Sequence, residues 1–154
     1  MTGHRLGLIA ALGSLGMMIA ALGFQYIGEL PPCKMCYWQR YPHIAAIGIG
    51  VLFLLLAYRG LLVLGALSAL TTGVIGVYHV GVEQKWWQGP DTCTASSTAG
   101  LNVDQLLVQI MTAPLVRCDE IAWSLMGISM AGWNAIVSFA LAFLWVTAFE
   151  RSKV

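Results

Sequence analysis

A chain of 154 residues that is 58% hydrophobic and only 10% charged is not an ordinary water-soluble domain, since those carry roughly 25% charged residues. A mean hydropathy of +0.77 predicts an integral membrane protein, and the length leaves room for one domain only. The formal net charge of +1 comes without a basic cluster able to grip phosphates, which excludes a nucleic-acid-binding surface.

The first apolar run covers residues 6–27, with Gln25 its most polar member. It is long enough to cross roughly 30 Å of hydrocarbon. It is also too long for a signal-peptide core and lacks a small-residue cleavage site, so it reads as a retained span. Glu29, Pro31 and Pro32 end it. The polar gap 28–41 then carries Cys33-Lys34-Met35-Cys36, with Arg40 four residues beyond the second cysteine. A second run covers 42–58, Arg59-Gly60 makes a tight connection, and a third run covers 61–82. The long segment 83–132 precedes a last span at 133–149. Only elements that satisfy their own backbone hydrogen bonds survive in lipid, so the spans are helices. The predicted fold class is an all-α membrane protein: a four-transmembrane-helix bundle with both termini on one side and a long second outer loop carrying short interfacial helices.

Two interfacial helices are expected in that loop. Leu101 to Met111 sets Val103, Leu106, Leu107, Ile110 and Met111 at helical spacing, with Asn102 as N-cap and Gln105 three positions on. Cys118 to Met130 carries Ile121, Trp123, Leu125, Met126 and Ile128, and is too short to span. Between Gly89 and Gly100 the chain reads as a flexible loop holding Cys93. Trp86, Trp87, Trp123 and Trp133 read as an interfacial aromatic belt without catalytic weight.

Basic residues near span ends decide orientation. Arg5, Arg59, Arg151 and Lys153 face one side; Lys34, Arg40, Lys85 and Arg117 face the other, a tie by number. Arg40 belongs to a candidate site and Arg117 lies far from a span end, so the first group governs and the termini are expected in the cytoplasm. That puts all four cysteines outside, where paired thiols persist as disulfides.

A C-x-x-C pair can close a small disulfide ring, and one thiol of such a pair usually has a depressed pKa. If the chain is helical from Cys36 onward, Arg40 lies one turn away on the same face and favours an anion there. Pro42 biases Tyr41 away from helical backbone and works against that geometry. Haem attachment would need a histidine after Cys36, where Tyr37 stands, and a zinc site lacks a second close pair, so no metal is expected. Four cysteines allow three pairings, and Cys93 with Cys118 could form a plain loop staple. The glycine- and serine-rich flank of Cys93 suits an exposed, mobile and hence labile disulfide better. His79 and Glu83, at the outer end of the third span, fall at the depth of Arg40 and are functional candidates for that reason.

Four spans, Pro-Cys-x-x-Cys-x-x-x-Arg in the first outer loop and a cysteine pair in a long second one resemble the DsbB family. This family comprises bacterial inner-membrane proteins that reoxidise the thioredoxin-like oxidant DsbA. The stretch Arg117-Cys118-Asp119-Glu120-Ile121-Ala122-Trp123 and the Tyr78-His79 pair add to the resemblance, which covers nearly the whole chain. It implies that Cys33, Cys36, Cys93 and Cys118 are catalytic, with Cys33 and Cys36 the quinone-proximal pair and Cys36 the sulfur facing the ring. It implies that Arg40, Cys36, His79 and Glu83 bind ubiquinone or menaquinone, and that Cys93 and Cys118 meet a periplasmic DsbA-like partner, Cys93 being attacked. Two other classes compete. A vitamin K epoxide reductase-like enzyme would carry its active pair on a late span, and a non-enzymatic membrane subunit would use its cysteines as staples only.

Overall fold

The computed structural model describes residues 2–94, 102–112 and 116–152. Four long apolar helices form the body: α1 (Gly3–Tyr26), α2 (Lys34–Leu56), α3 (Gly60–Glu83) and α5 (Met130–Arg151). All four are long and apolar enough to cross a membrane. Lipid-facing positions such as Ile19, Leu55 and Phe143 are 61–75% exposed, as expected where hydrocarbon rather than water covers the outer surface. Each helix packs on two neighbours in the cyclic order α1, α2, α3, α5. Both chain ends meet at one end of the bundle, where a Cβ on Gly3 would strike Ser152. Arg59 at the α2–α3 turn reaches the Phe149 carbonyl at 3.1 Å there as well.

Burial inside lipid gives helices no hydrophobic reason to associate, so close backbone approach has to supply the contact. Small residues do so here. Gly50 faces Ala11, and Gly65 makes a seat for the fully buried indole of Trp145. Around Trp145 lie Leu6, Ala10, Phe53, Leu62 and Leu141, an apolar core in the half of the bundle nearest the termini.

The second span differs from expectation in a way that shapes the site. Helix α2 begins at Lys34, eight residues before the expected start, and runs through Pro42. Cys33 caps it: its backbone is extended and its sulfur accepts from the Cys36 N–H at 3.2 Å. That cap starts the helix early enough to hold Cys36 and Arg40 on one face, and the packed bundle overrides the local bias of Pro42, which forfeits a single helical hydrogen bond.

In the long loop, α4 (Val103–Thr112) matches the first expected interfacial helix. Val103, Leu107 and Met111, one turn apart in succession, are all largely exposed and form an apolar stripe. The side chains of Gln105, Leu106 and Ile110, and Leu101 itself, lie outside the described residues, as do residues 95–100 of the expected flexible loop. The second expected helix, 118–130, is not formed. Residues β1 (Ser124–Leu125) and β2 (Ile128–Ser129) pair as a short antiparallel hairpin. Its turn is Met126-Gly127, with φ of 55° and 78°, the mirror-image two-residue turn that hairpins favour. Gly127 supplies the positive φ, and apolar bulk at helical spacing could not outweigh that turn signal.

Candidate functional site

The site lies at the end of the bundle opposite the termini. A cavity of about 260 Å³ is walled by α1, α2, α3 and α5 and by the segment that leads from Cys118 into the hairpin. Cys33, Cys36, Arg40, His79 and Glu83, all singled out from sequence, line it together. The remaining wall is mostly apolar, with Met17, Phe24, Trp123, Trp133 and Val137 among its residues. Trp123 and Trp133 are therefore cavity walls and not merely parts of a belt; Trp123 packs on Phe24 at 4.8 Å.

The helix cap puts the sulfurs of Cys33 and Cys36 2.7 Å apart, both as free cysteines. They differ in surroundings. Cys33 is 5% exposed, and its thiol is pushed far above the ordinary range, first by the hydrogen bond to Cys36 and then by burial. Cys33 is thus the partner that keeps its proton. Cys36 is less buried and stands one turn from Arg40.

Arg40 is held from α1. Its guanidinium donates to Gln25 Oε1 at 2.6 Å and to the Ala21 carbonyl at 3.3 Å, and it lies 5.3 Å from the centre of the Tyr37 ring. Gln25, visible in the sequence only as a polar residue within a span, therefore aims the one cation that α2 places on the cavity wall. On the other side, His79 Nδ1 takes a hydrogen bond from Gln39 Nε2 at 2.8 Å. Its Nε2 then carries the proton and points at Cys33 Sγ, 3.7 Å away, and at Glu83 Oε1, 3.9 Å away.

Cys93 and Cys118 form a disulfide. It is not exposed as expected: the two residues are 1% and 0% exposed. The loop folds back over the bundle end, so the bond packs against Cys33, Met35, Val82 and Val116. The Cys118 N–H also bonds to the Cys93 carbonyl at 2.6 Å. Burial brings the two cysteine pairs together. The sulfurs of Cys33 and Cys118 and a ring nitrogen of His79 all lie within 4.8 Å of one another. Such a trio resembles a metal site in spacing, but Cys118 is spent in a disulfide and has no thiolate to offer. The geometry suits sulfur-to-sulfur exchange between the pairs.

Gln39, Asn134, His43, Thr72 and Ser138 form a buried polar network beneath the cysteines that sequence reading missed. Asn134 on α5 donates to Gln39 Oε1 at 2.7 Å and accepts from His43 Nε2 at 2.9 Å, tying α2 to the helix diagonally across the bundle. Polar side chains inside predicted spans were the available signal.

Four apolar spans, a buried disulfide within the long loop and a C-x-x-C dithiol on a mostly apolar cavity define a membrane protein of thiol–disulfide chemistry. A family model described as "Disulfide bond formation protein DsbB" matches residues 3–148. The chain belongs to the DsbB family, a four-helix membrane family of disulfide bond formation proteins. It is 30% identical to the Disulfide bond formation protein B of Dechloromonas aromatica over 91% of this chain and 88% of that one. The protein of the same name from Shewanella amazonensis is 30% identical over 92% and 86% of the two chains. That of Hahella chejuensis is 26% identical over 98% and 96%. No solved structure matches the chain.

Proposed function

We propose that this protein reoxidises a periplasmic DsbA-like dithiol of thioredoxin fold and passes the electrons to a membrane quinone, ubiquinone or menaquinone. The observation that carries the reading is the position of the Cys33–Cys36 pair, with the Cys118 sulfur within 4.8 Å of Cys33 on one side and a mostly apolar cavity that holds Arg40 on the other. Such a wall with one aimed cation fits an apolar ring that bears oxygen atoms.

The partner's thiolate attacks the Cys93–Cys118 disulfide at Cys93, and its second thiol resolves the mixed bond, leaving the partner oxidised and Cys93 and Cys118 as thiols. The free Cys33 and Cys36 correspond to the stage before electrons leave for the quinone. Once that loss of two electrons and two protons has joined them as a disulfide, Cys118 attacks it at Cys33, within 4.8 Å, and releases Cys36 as a thiolate. Cys93 resolves that bond, so the dithiol has moved to Cys33 and Cys36. A quinone bound in the cavity supplies the sink for two electrons and two protons. Arg40 steadies negative charge at Cys36, and His79 Nε2–H holds the Cys33 sulfur in line. His79 and Glu83 together bring ionisable groups to the cavity rim. Burial of Cys93 means that the partner must lift the loop to reach it. In this reading the termini are cytoplasmic and the cysteine end faces the periplasm of a bacterial inner membrane.

An anaerobic titration with a reduced thioredoxin-fold partner and a short-chain quinone tests it. One quinone should be reduced per partner dithiol oxidised, with the activity abolished in Cys36→Ala. Undiminished turnover in Cys36→Ala or Cys33→Ala would remove that pair from the path. Four cysteines inert to the partner would return them to the role of staples. Membrane-impermeant maleimide, applied to intact cells after reduction, checks sidedness through Cys93.

A further inference from the structure

The bundle carries a second cavity at the end opposite the cysteines, where both chain ends and the α2–α3 turn come together. It measures about 350 Å³, and its wall includes Thr2, His4, Phe53, Arg59 and Arg151. None of these residues belongs to the thiol chemistry. Two of them are cations from separate helix ends, Arg59 at the start of α3 and Arg151 at the close of α5.

Arg59 is held in place without being neutralised. Its Nε donates to the Phe149 carbonyl at 3.1 Å, and its guanidinium lies 3.9 Å from the centre of the Phe149 ring. That anchor uses only one of the N–H groups of the side chain. The terminal nitrogens keep a planar fork of the kind that grips phosphate oxygens. Arg151 is exposed and makes no hydrogen bond or ion pair with a described residue. Glu150 stands beside it in sequence, yet it neither lines the cavity nor pairs with either arginine. The backbone adds to the field. Helix α1 begins at this cavity, and Thr2 gives its first N–H groups no side-chain cap, so the positive end of that helix is open to an anion. The last carbonyls of α5 would oppose one, but Arg59 takes that of Phe149 and the Ser152 N–H takes that of Ala148.

The flank of the cavity narrows the kind of anion. Leu55, Leu56 and Tyr58 adjoin its Ala57 and Arg59 walls in sequence and are largely exposed. They form a lipid-facing surface that ends, beside Arg59, in an aromatic residue of the interfacial kind. A free phosphate leaves that apolar surface unused. A phosphate that carries acyl chains covers it.

We propose that this cavity binds the headgroup phosphate of an anionic phospholipid from the leaflet around the chain termini. Arg59 grips the phosphate oxygens, and Arg151 adds a second positive charge. A headgroup of net negative charge fits two uncompensated cations, whereas a zwitterionic one brings its own cation into the same place. The bound lipid ties the α2–α3 turn to the end of α5, far from the cysteines.

Native mass spectrometry of the purified full-length protein in a neutral detergent tests the site, with dioleoyl phosphatidylglycerol and dioleoyl phosphatidylcholine titrated in turn. Phosphatidylglycerol should bind about tenfold more tightly than phosphatidylcholine, and Arg59→Gln should remove about that factor, the effect of one charge-assisted hydrogen bond. Arg151→Gln breaks no contact with a described residue. It should weaken the same binding severalfold, and it carries the test if Arg59→Gln fails to fold. Arg5→Gln removes a cation from the same end but outside the cavity wall, and should leave the affinity unchanged. Equal losses in Arg5→Gln and Arg151→Gln reduce the effect to general surface charge and overturn the proposal. Equal affinity of the native protein for the two lipids overturns it as well. Glycerol phosphate that binds as tightly as phosphatidylglycerol makes the cavity a site for soluble phosphates and overturns the lipid assignment.

Discussion

Cys33 shows how much one residue can do when it sits at a helix cap. Its sulfur accepts the Cys36 N–H, lies 2.7 Å from the Cys36 sulfur and faces His79. Because the bond to Cys36 and burial both raise its pKa, it should stay a thiol well above the ordinary thiol value of about 8.5. Iodoacetamide at pH 8 should therefore label Cys36 and spare Cys33, with mass spectrometry of the peptides as the readout; equal labelling would contradict the assignment. Gln39 is the second pivotal residue, since it serves both His79 and Asn134. Gln39→Leu leaves His79 Nδ1 unpaired and takes one of its acceptors from the Asn134 amide, which keeps Thr72, and should cost about 1–2 kcal/mol, measured by unfolding in mixed micelles.

At the scale of elements, the bundle depends on backbones approaching closely. A side chain at Gly65 would run into the Trp145 indole, whose ring atoms lie 2.6–2.7 Å from where a Cβ would be. Gly65→Leu should therefore destabilise the α3–α5 contact by about 1–3 kcal/mol through overpacking. Gly16 has nothing within 4 Å of such an atom, so Gly16→Leu should leave the same unfolding transition nearly unmoved. The hairpin obeys a different rule. Its turn needs a left-handed Gly127 at φ 78°, and Gly127→Val should loosen the segment between Trp123 and Trp133 that roofs the cavity, at a cost of about 1–3 kcal/mol. Faster amide exchange confined to residues 124–129 is the expected signature.

Across the whole molecule, the disulfide holds the long loop down, and a local ion-pair cluster braces the chain beside Cys118. Arg117 donates to Asp119 at 2.7 and 3.0 Å and pairs with Glu120 at 3.0 Å. The hydrogen bond from Arg117 holds the Asp119 carboxyl below the usual carboxylate range. A lowered folded pKa means the pair stabilises the folded segment beside Cys118 fully above about pH 4 and loses that effect as pH falls through the folded value. Reduction of Cys93–Cys118 by a mild phosphine should accelerate below pH 4, and Asp119→Asn should show the faster rate at pH 7. A rate independent of pH and of Asp119 would place loop closure elsewhere.

Four apolar runs, their helical state, the vicinal cysteines and the candidates Arg40, His79 and Glu83 were legible in the sequence, because lipid forces apolar length and internal hydrogen bonding on every span. Local signals failed where distant contacts outweighed them. Pro42 argued for a break, yet α2 runs through it on the strength of the Cys33 cap and bundle packing. Cys93 argued for an exposed sulfur, yet the returning loop buries it. The nearness of Cys118 to Cys33, the hold of Gln25 on Arg40 and the bond of His43 to Asn134 join positions 15 to 91 residues apart. No local pattern encodes such pairings. Composition and apolar run length alone were enough for a four-span membrane protein with four cysteines beyond its spans. That the two pairs lie against each other, with Cys33 and Cys36 on the cavity wall, came only from helices packing across the bundle and a loop folding back on its end.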